Sequence, residues 1–81
     1  MRILNQDKEE SIRNLLILLT PEEAKELKDD LELLLSQDLS QGQNHAHIND
    51  SDYQREITIA IYTPNNYTSF NDKVKKLISN E

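Results

Sequence analysis

Five consecutive apolar side chains, Leu15, Leu16, Ile17, Leu18 and Leu19, stand directly before Thr20 and Pro21 in a chain of only 81 residues. A short unbroken run closed by a turn signal fits a strand buried on both faces. Thr20 precedes a proline and is therefore biased to extended backbone. A helical alternative stays open, because Ile12, Leu15, Leu16 and Leu19 form a stripe and Asp7 to Glu10 can act as a capping box. Ile17 and Leu18 would point away from that stripe, so a strand from Arg13 to Leu19 is the favoured reading.

The next segment is a helix start written in local chemistry. Thr20, Pro21, Glu22 and Glu23 fall at N-cap, N1, N2 and N3: a capping box with proline where its missing N–H costs nothing. Ala24, Leu27, Leu31, Leu34 and Leu35 then recur at helical spacing, which predicts a helix from about Pro21 to Gln37. The polar stretch Ser40, Gln41, Gly42, Gln43 ends it. Further on, Ile57, Ile59 and Ile61 alternate with Thr58, Ala60 and Tyr62, so residues 55–63 read as a strand with one apolar face. His45 to Ile48 alternates too, and Asn49, Asp50, Ser51 and Asp52 between them are turn formers. These two segments are expected to pair as an antiparallel hairpin with a loop of about five or six residues. Phe70, Val74, Leu77 and Ile78 predict a C-terminal helix, with Ser69 and Asp72 as an N-cap pair or an earlier start at Asn66 or Thr68.

The expected fold class is α+β, a small two-layer β-α-β-β-α domain with a three-stranded sheet and two helices, the first three elements forming a right-handed crossover if the strands run parallel. If residues 7–19 are helical it becomes α-α-β-β-α. Residues 1–11 are expected as a polar N-terminal arm and residues 12–81 as a single domain. In a strand, Leu15, Ile17 and Leu19 point one way and Leu16 and Leu18 the other, and two helices on one face cannot bury both rows. Each Leu or Ile left wet forgoes about 1.5–3 kcal/mol. Either one helix lies on each face, or a second copy covers the open one, and a homodimer is the expectation.

Charge narrows the partners. Nine Lys and Arg against fifteen Asp and Glu give a net charge of −6. Nucleic-acid binders present basic patches, and the one small cluster here, Lys73, Lys75 and Lys76, complements a helix C-terminus. No apolar run approaches a membrane span. The polar opening Asn5 to Glu10 argues against a secretory leader, so a cytoplasmic location is expected. The chain has no cysteine and a single glycine, which removes thiolate metal sites and glycine-rich phosphate loops. No serine sits in a nucleophile elbow. Paired carboxylates would need a cleft to separate their pKa values. The expectation is a non-enzyme without cofactor.

The leading functional reading is a small acidic protein-binding module, of the kind used by immunity proteins, antitoxins or phage-encoded inhibitors, that occupies a partner's basic surface. Its candidate contacts are Asp29, Asp30 and Glu32 on the first helix, and Asp50, Asp52 and Tyr53 in the hairpin loop. A tyrosine near Arg55 suits an interface anchor. The alternative is an oligomeric protein that binds or sequesters a small anionic or nucleotide-like ligand, through His45, His47, Arg55, Tyr62, Lys73 and Lys76. His45 and His47 share a strand face, but no third histidine completes a metal set, and no metal is expected. Cross-strand pairing of the two histidines with Arg55 or Glu56 is the plainer role.

Overall fold

The computed structural model describes residues 1–40 and 44–79. In chain order they form β1 (Leu4–Asn5), β2 (Glu10–Ser11), α1 (Pro21–Ser36), β3 (His45–Asn49), β4 (Glu56–Ala60), a 3-10 turn (Tyr67–Ser69) and α2 (Asp72–Ser79). The α+β class holds. The sheet differs: β1 pairs with β2 and β3 with β4, both antiparallel, in two separate two-stranded sheets. The expected three-stranded sheet is therefore not formed, and no parallel crossover exists among the described residues.

The cause lies in residues 13–19. They adopt neither the expected strand nor the alternative helix. Leu15, Leu16, Ile17 and Leu18 are 48%, 80%, 45% and 84% exposed, and only Leu19 is half-buried. An unbroken apolar run favours extended backbone, but a strand exists only when a second strand takes its backbone hydrogen bonds. Nothing in the run selects such a partner.

The helix start is the one the residues dictate. The Glu23 amide donates to Thr20 Oγ1 at 3.2 Å, and the Thr20 amide donates to Glu23 Oε1 at 2.9 Å. At the other end Gln37 is the C-cap, its amide donating to the Leu34 carbonyl at 3.3 Å. Of the polar stretch expected to end the helix, Gln41, Gly42 and Gln43 lie outside the described residues.

The β3–β4 hairpin pairs Ala46 with Ile59 and Ile48 with Ile57 on one face, and His45 with Ala60 and His47 with Thr58 on the other. The isoleucine side faces α1, which packs on β3, and Leu34 and Ile61 line one small pocket. Leu34 and Ile48 are the deeply buried apolar residues. The histidine side faces α2 across a cleft. One helix thus serves each face, rather than both helices serving one.

The polar arm expected over residues 1–11 has structure of its own. Asn5 Oδ1 accepts from the Asp7 and Lys8 amides at 3.0 and 3.2 Å, an Asx turn that reverses the chain. Glu9 then takes φ 57°, and the Ile12 amide donates to the Ile3 carbonyl at 2.8 Å. This small hairpin is clasped to α2: Arg2 donates to the Ile78 carbonyl through Nε and Nη2 at 3.4 and 3.3 Å, and Lys73 pairs with Glu9. A cation at the end of α2 also answers the helix dipole.

Before α2, the N-cap is Asn71 rather than Ser69, since Asn71 Oδ1 accepts from the Val74 amide at 2.9 Å. Ser69 instead donates through Oγ to the Asn66 carbonyl at 2.7 Å. Asn66 is the most buried polar residue described, 1% exposed. Its Oδ1 accepts from the Thr63 amide at 2.6 Å, and its Nδ2 donates to the carbonyls of Leu39 at 2.6 Å and Ile61 at 3.2 Å. One carboxamide thereby joins the chain after α1, the end of β4 and the entry to α2.

Candidate functional site

Two regions stand out: the cleft on the histidine side of the hairpin, and the exposed apolar run with the acidic surface. The cleft has a volume of about 570 Å³, within the range of small-molecule sites. Strand parity sends His45, His47, Thr58 and Ala60 into it, and Tyr62 continues the row. From the far side α2 presents Val74, Leu77 and Ile78, with Phe70 just ahead of the helix, as an apolar wall. Arg2, Leu4 and Gln6 of the N-terminal hairpin close one end, and Lys73 stands at the rim.

The two imidazoles meet edge to face, their centroids 4.7 Å apart and their planes at 87°. His47 Nδ1 lies 3.0 Å from Thr58 Oγ1 and also pairs with Glu56 on the neighbouring strand. That realises the cross-strand polar role with Glu56, not Arg55. Among the described residues no three His, Asp or Glu side chains gather in a way that could hold a metal ion.

Of the six residues proposed for ligand binding, the cleft brings together His45, His47, Tyr62 and Lys73. Arg55 stands apart in the β3–β4 loop, where its Nη1 donates to Asp50 Oδ2 at 3.2 Å. Lys76 also falls outside the lining. At 100° per residue, positions 73, 74, 77 and 78 span one side of α2, and position 76 lies well off that arc. Arg2, Thr58, Ser69 and Asn71 line the cleft without having been anticipated. Thr58 was legible as the partner of a strand histidine; Arg2, 76 residues from its Ile78 acceptor, was not.

The proposed partner contacts fall in two groups. Asp29 and Glu32 are exposed on the side of α1 turned from the hairpin, and Asp30 is half-buried beside Leu33 and His45. In the loop, Asp50 is occupied by architecture: its Oδ1 accepts from the Gln54 and Arg55 amides at 2.9 and 3.0 Å. The Arg55 amide, above all, holds the Asp50 carboxyl below the usual carboxylate range. Asp52 is exposed, and Tyr53 is 81% exposed with φ 57°. A bulky residue rarely holds left-handed backbone.

No helix among the described residues is long and apolar enough to cross a membrane. No protein-family model matches the chain, and no curated protein or solved structure is significantly similar to it.

Proposed function

We propose that this chain is a non-enzymatic, acidic protein-binding module that works as a homodimer. The observation that carries the reading is the exposure of Leu15 to Leu18. The chain has 6606 Å² of accessible surface, where a closed monomer of 9.4 kDa has about 5,000 Å². Its radius of gyration is 13.3 Å, against about 12 Å for a compact domain of this length. Two copies that each hid the excess of about 1,600 Å² would share an interface of about 3,200 Å², the size typical of obligate homodimers.

The edges of the sheet suit the same purpose. Neither edge of the β3–β4 hairpin carries a further strand among the described residues, and an unpaired strand edge is a template for another strand. A segment that lacks a partner strand within its own chain acquires one when the run of one copy adds to the hairpin of the other, burying one row of leucines against each side. Dimerisation by this route leaves Asp29, Glu32, Asp52 and Tyr53 outward for a basic protein surface, the arrangement that an immunity, antitoxin or inhibitor role requires.

Light scattering over a concentration series tests the dimer: the expected mass is twice the 9.4 kDa of the chain. The L16S/L18S double variant should be a folded monomer by circular dichroism. A wild-type chain that stays monomeric at high micromolar concentration overturns the reading. Capture of a cationic partner that weakens as salt rises, and that is lost in D29N/E32Q/D52N, tests the acidic surface. Capture indifferent to salt counts against it.

A further inference from the structure

The cleft differs in chemistry from the rest of the molecule. Acidic residues outnumber basic ones fifteen to nine in the chain, yet among the described residues no carboxylate side chain lines the cleft, whereas Arg2, Lys73, His45 and His47 all do. Glu9 and Glu56 touch Lys73 and His47 from outside the lining. Phe70, Val74, Leu77 and Ile78 form an apolar wall on the α2 side, opposite His45 and His47, with Lys73 of the same helix at its rim. The cleft therefore combines basic, hydrogen-bonding side chains with an apolar wall. A body that fills such a space is greasy along its length and carries an anion at one end.

We propose that this cleft binds a small amphipathic carboxylate, with an alkyl or arylalkyl body along α2 and its carboxylate at Lys73 and the His45–His47 pair. A single charge fits better than a phosphate ester. The guanidinium of Arg2 is already committed to the carbonyls of Ile78 and, at 3.1 Å, Met1. No glycine-rich loop can offer a nest of amides, since the chain has a single glycine. The carboxylate displaces Glu9 from Lys73 and Glu56 from His47, both solvent-exposed pairs of small worth, and most of the affinity comes from the buried apolar body. Glu9, held at φ 57°, is then released from its pair, and the N-terminal hairpin reports occupancy.

The test is an amide NMR titration of the full chain with octanoate, 1-octanol and inorganic phosphate in parallel. Octanoate should give saturable shifts at His45, His47, Thr58, Tyr62 and Lys73, and at Glu9. Octanol should bind about tenfold more weakly because it lacks the charge-assisted contact, and phosphate should not bind. Lys73→Gln should bring octanoate down to the affinity of octanol while leaving octanol unchanged. Ala60→Trp, at an exposed strand position on the cleft wall, should fill the space and abolish both without disturbing the remaining spectrum. Equal affinity for octanoate and octanol overturns the proposal. So do shifts confined to residues 15–19, the absence of any shift, or unchanged binding by Ala60→Trp, a variant that decides the matter even if Lys73→Gln does not fold. Oligomer mass is read separately, so failure here leaves the dimer reading standing, and failure of the dimer leaves this one.

Discussion

Replacing Asn66 by aspartate changes one atom type at the most connected point in the fold. In the wild type the carboxamide oxygen accepts from the Thr63 amide at 2.6 Å, and its nitrogen donates to the Leu39 and Ile61 carbonyls at 2.6 and 3.2 Å. Aspartate keeps the shape and the acceptor but turns a carboxylate oxygen toward two carbonyl oxygens. Two hydrogen bonds are lost and two acceptors are left without donors at a side chain 1% exposed, each costing about 1–3 kcal/mol. A cost of about 2–6 kcal/mol follows, a large part of the about 4–12 kcal/mol expected for a chain of this length. At roughly 4–8 °C per kcal/mol, the midpoint of thermal unfolding falls by at least ~8 °C.

The direction with pH is also fixed. Protonation of the new carboxyl restores one donor, so its folded pKa lies above the unfolded value of about 3.9. A group with a raised folded pKa contributes most below its unfolded pKa, and that contribution is lost as pH rises through the folded one. The variant should therefore lie closer to wild type near pH 4 than at pH 7. Urea unfolding followed by far-UV circular dichroism at both pH values measures this, with Asn65→Asp, at the exposed neighbouring position, expected within about 0.5 kcal/mol of wild type. An Asn66→Asp protein as stable as wild type at pH 7, or one penalised equally at both pH values, would refute the reasoning.

Thr20→Ala removes the capping-box acceptor and should lower stability by about 1 kcal/mol, whereas Thr20→Ser should be nearly neutral; urea midpoints distinguish the two. The Asp50 carboxyl, its pKa lowered chiefly by the Arg55 amide, supports the β3–β4 loop above the ordinary carboxylate pKa and ceases to as pH falls through its lowered value. The Gln54 and Arg55 amide shifts should titrate with a midpoint below about 3.9, and a midpoint at or above that value contradicts the hydrogen bonding described. Tyr53→Asn places a residue that tolerates φ 57° where tyrosine is strained and should raise stability by about 0.5–1 kcal/mol while weakening partner capture; unchanged capture would remove Tyr53 from the contact surface.

What the residues disclosed in advance was local, and what they concealed was not. Thr20, Pro21 and Glu23 settle the start of α1 among themselves, within one turn. Ile57, Ile59 and Ile61 settle which face of β4 is apolar, and the turn formers after Ile48 settle that β3 and β4 meet across a short loop. By contrast, the expected strand at 13–19 depended on a partner elsewhere in the chain. Burial of an apolar run is favourable wherever it occurs, so the run announces that it needs cover without saying from where. The role of Asn66 was hidden for the same reason: its side chain acts on the carbonyl of Leu39, 27 residues earlier, and an asparagine after proline reads first as a turn former. The N-terminal hairpin left one faint sign, Asn5 at the head of a polar reversal, with strands of two residues each that no periodicity can reveal.

The cleft lies between these cases. His45, His47 and Tyr62 follow from strand parity once the hairpin is accepted, and parity also excludes no more than it should. Lys73 follows from helical spacing with Phe70, Val74 and Leu77, and the same arithmetic turns Lys76 away. Arg55 had the right charge but falls in the loop beyond the strand, where Asp50 holds it. Residue type therefore nominated the candidates, and element geometry chose among them. The remaining lining residue of consequence, Arg2, reaches the cleft because the N-terminal hairpin meets α2 there, with its guanidinium on the last turn of that helix. Closure of the N-terminus over the C-terminal helix is thus what converts a solvated strand face with two histidines into a walled cleft. Weakening the clasp at Arg2, whose guanidinium bonds the Ile78 carbonyl, acts on the shape of that cleft before it acts on the β3–β4 hairpin.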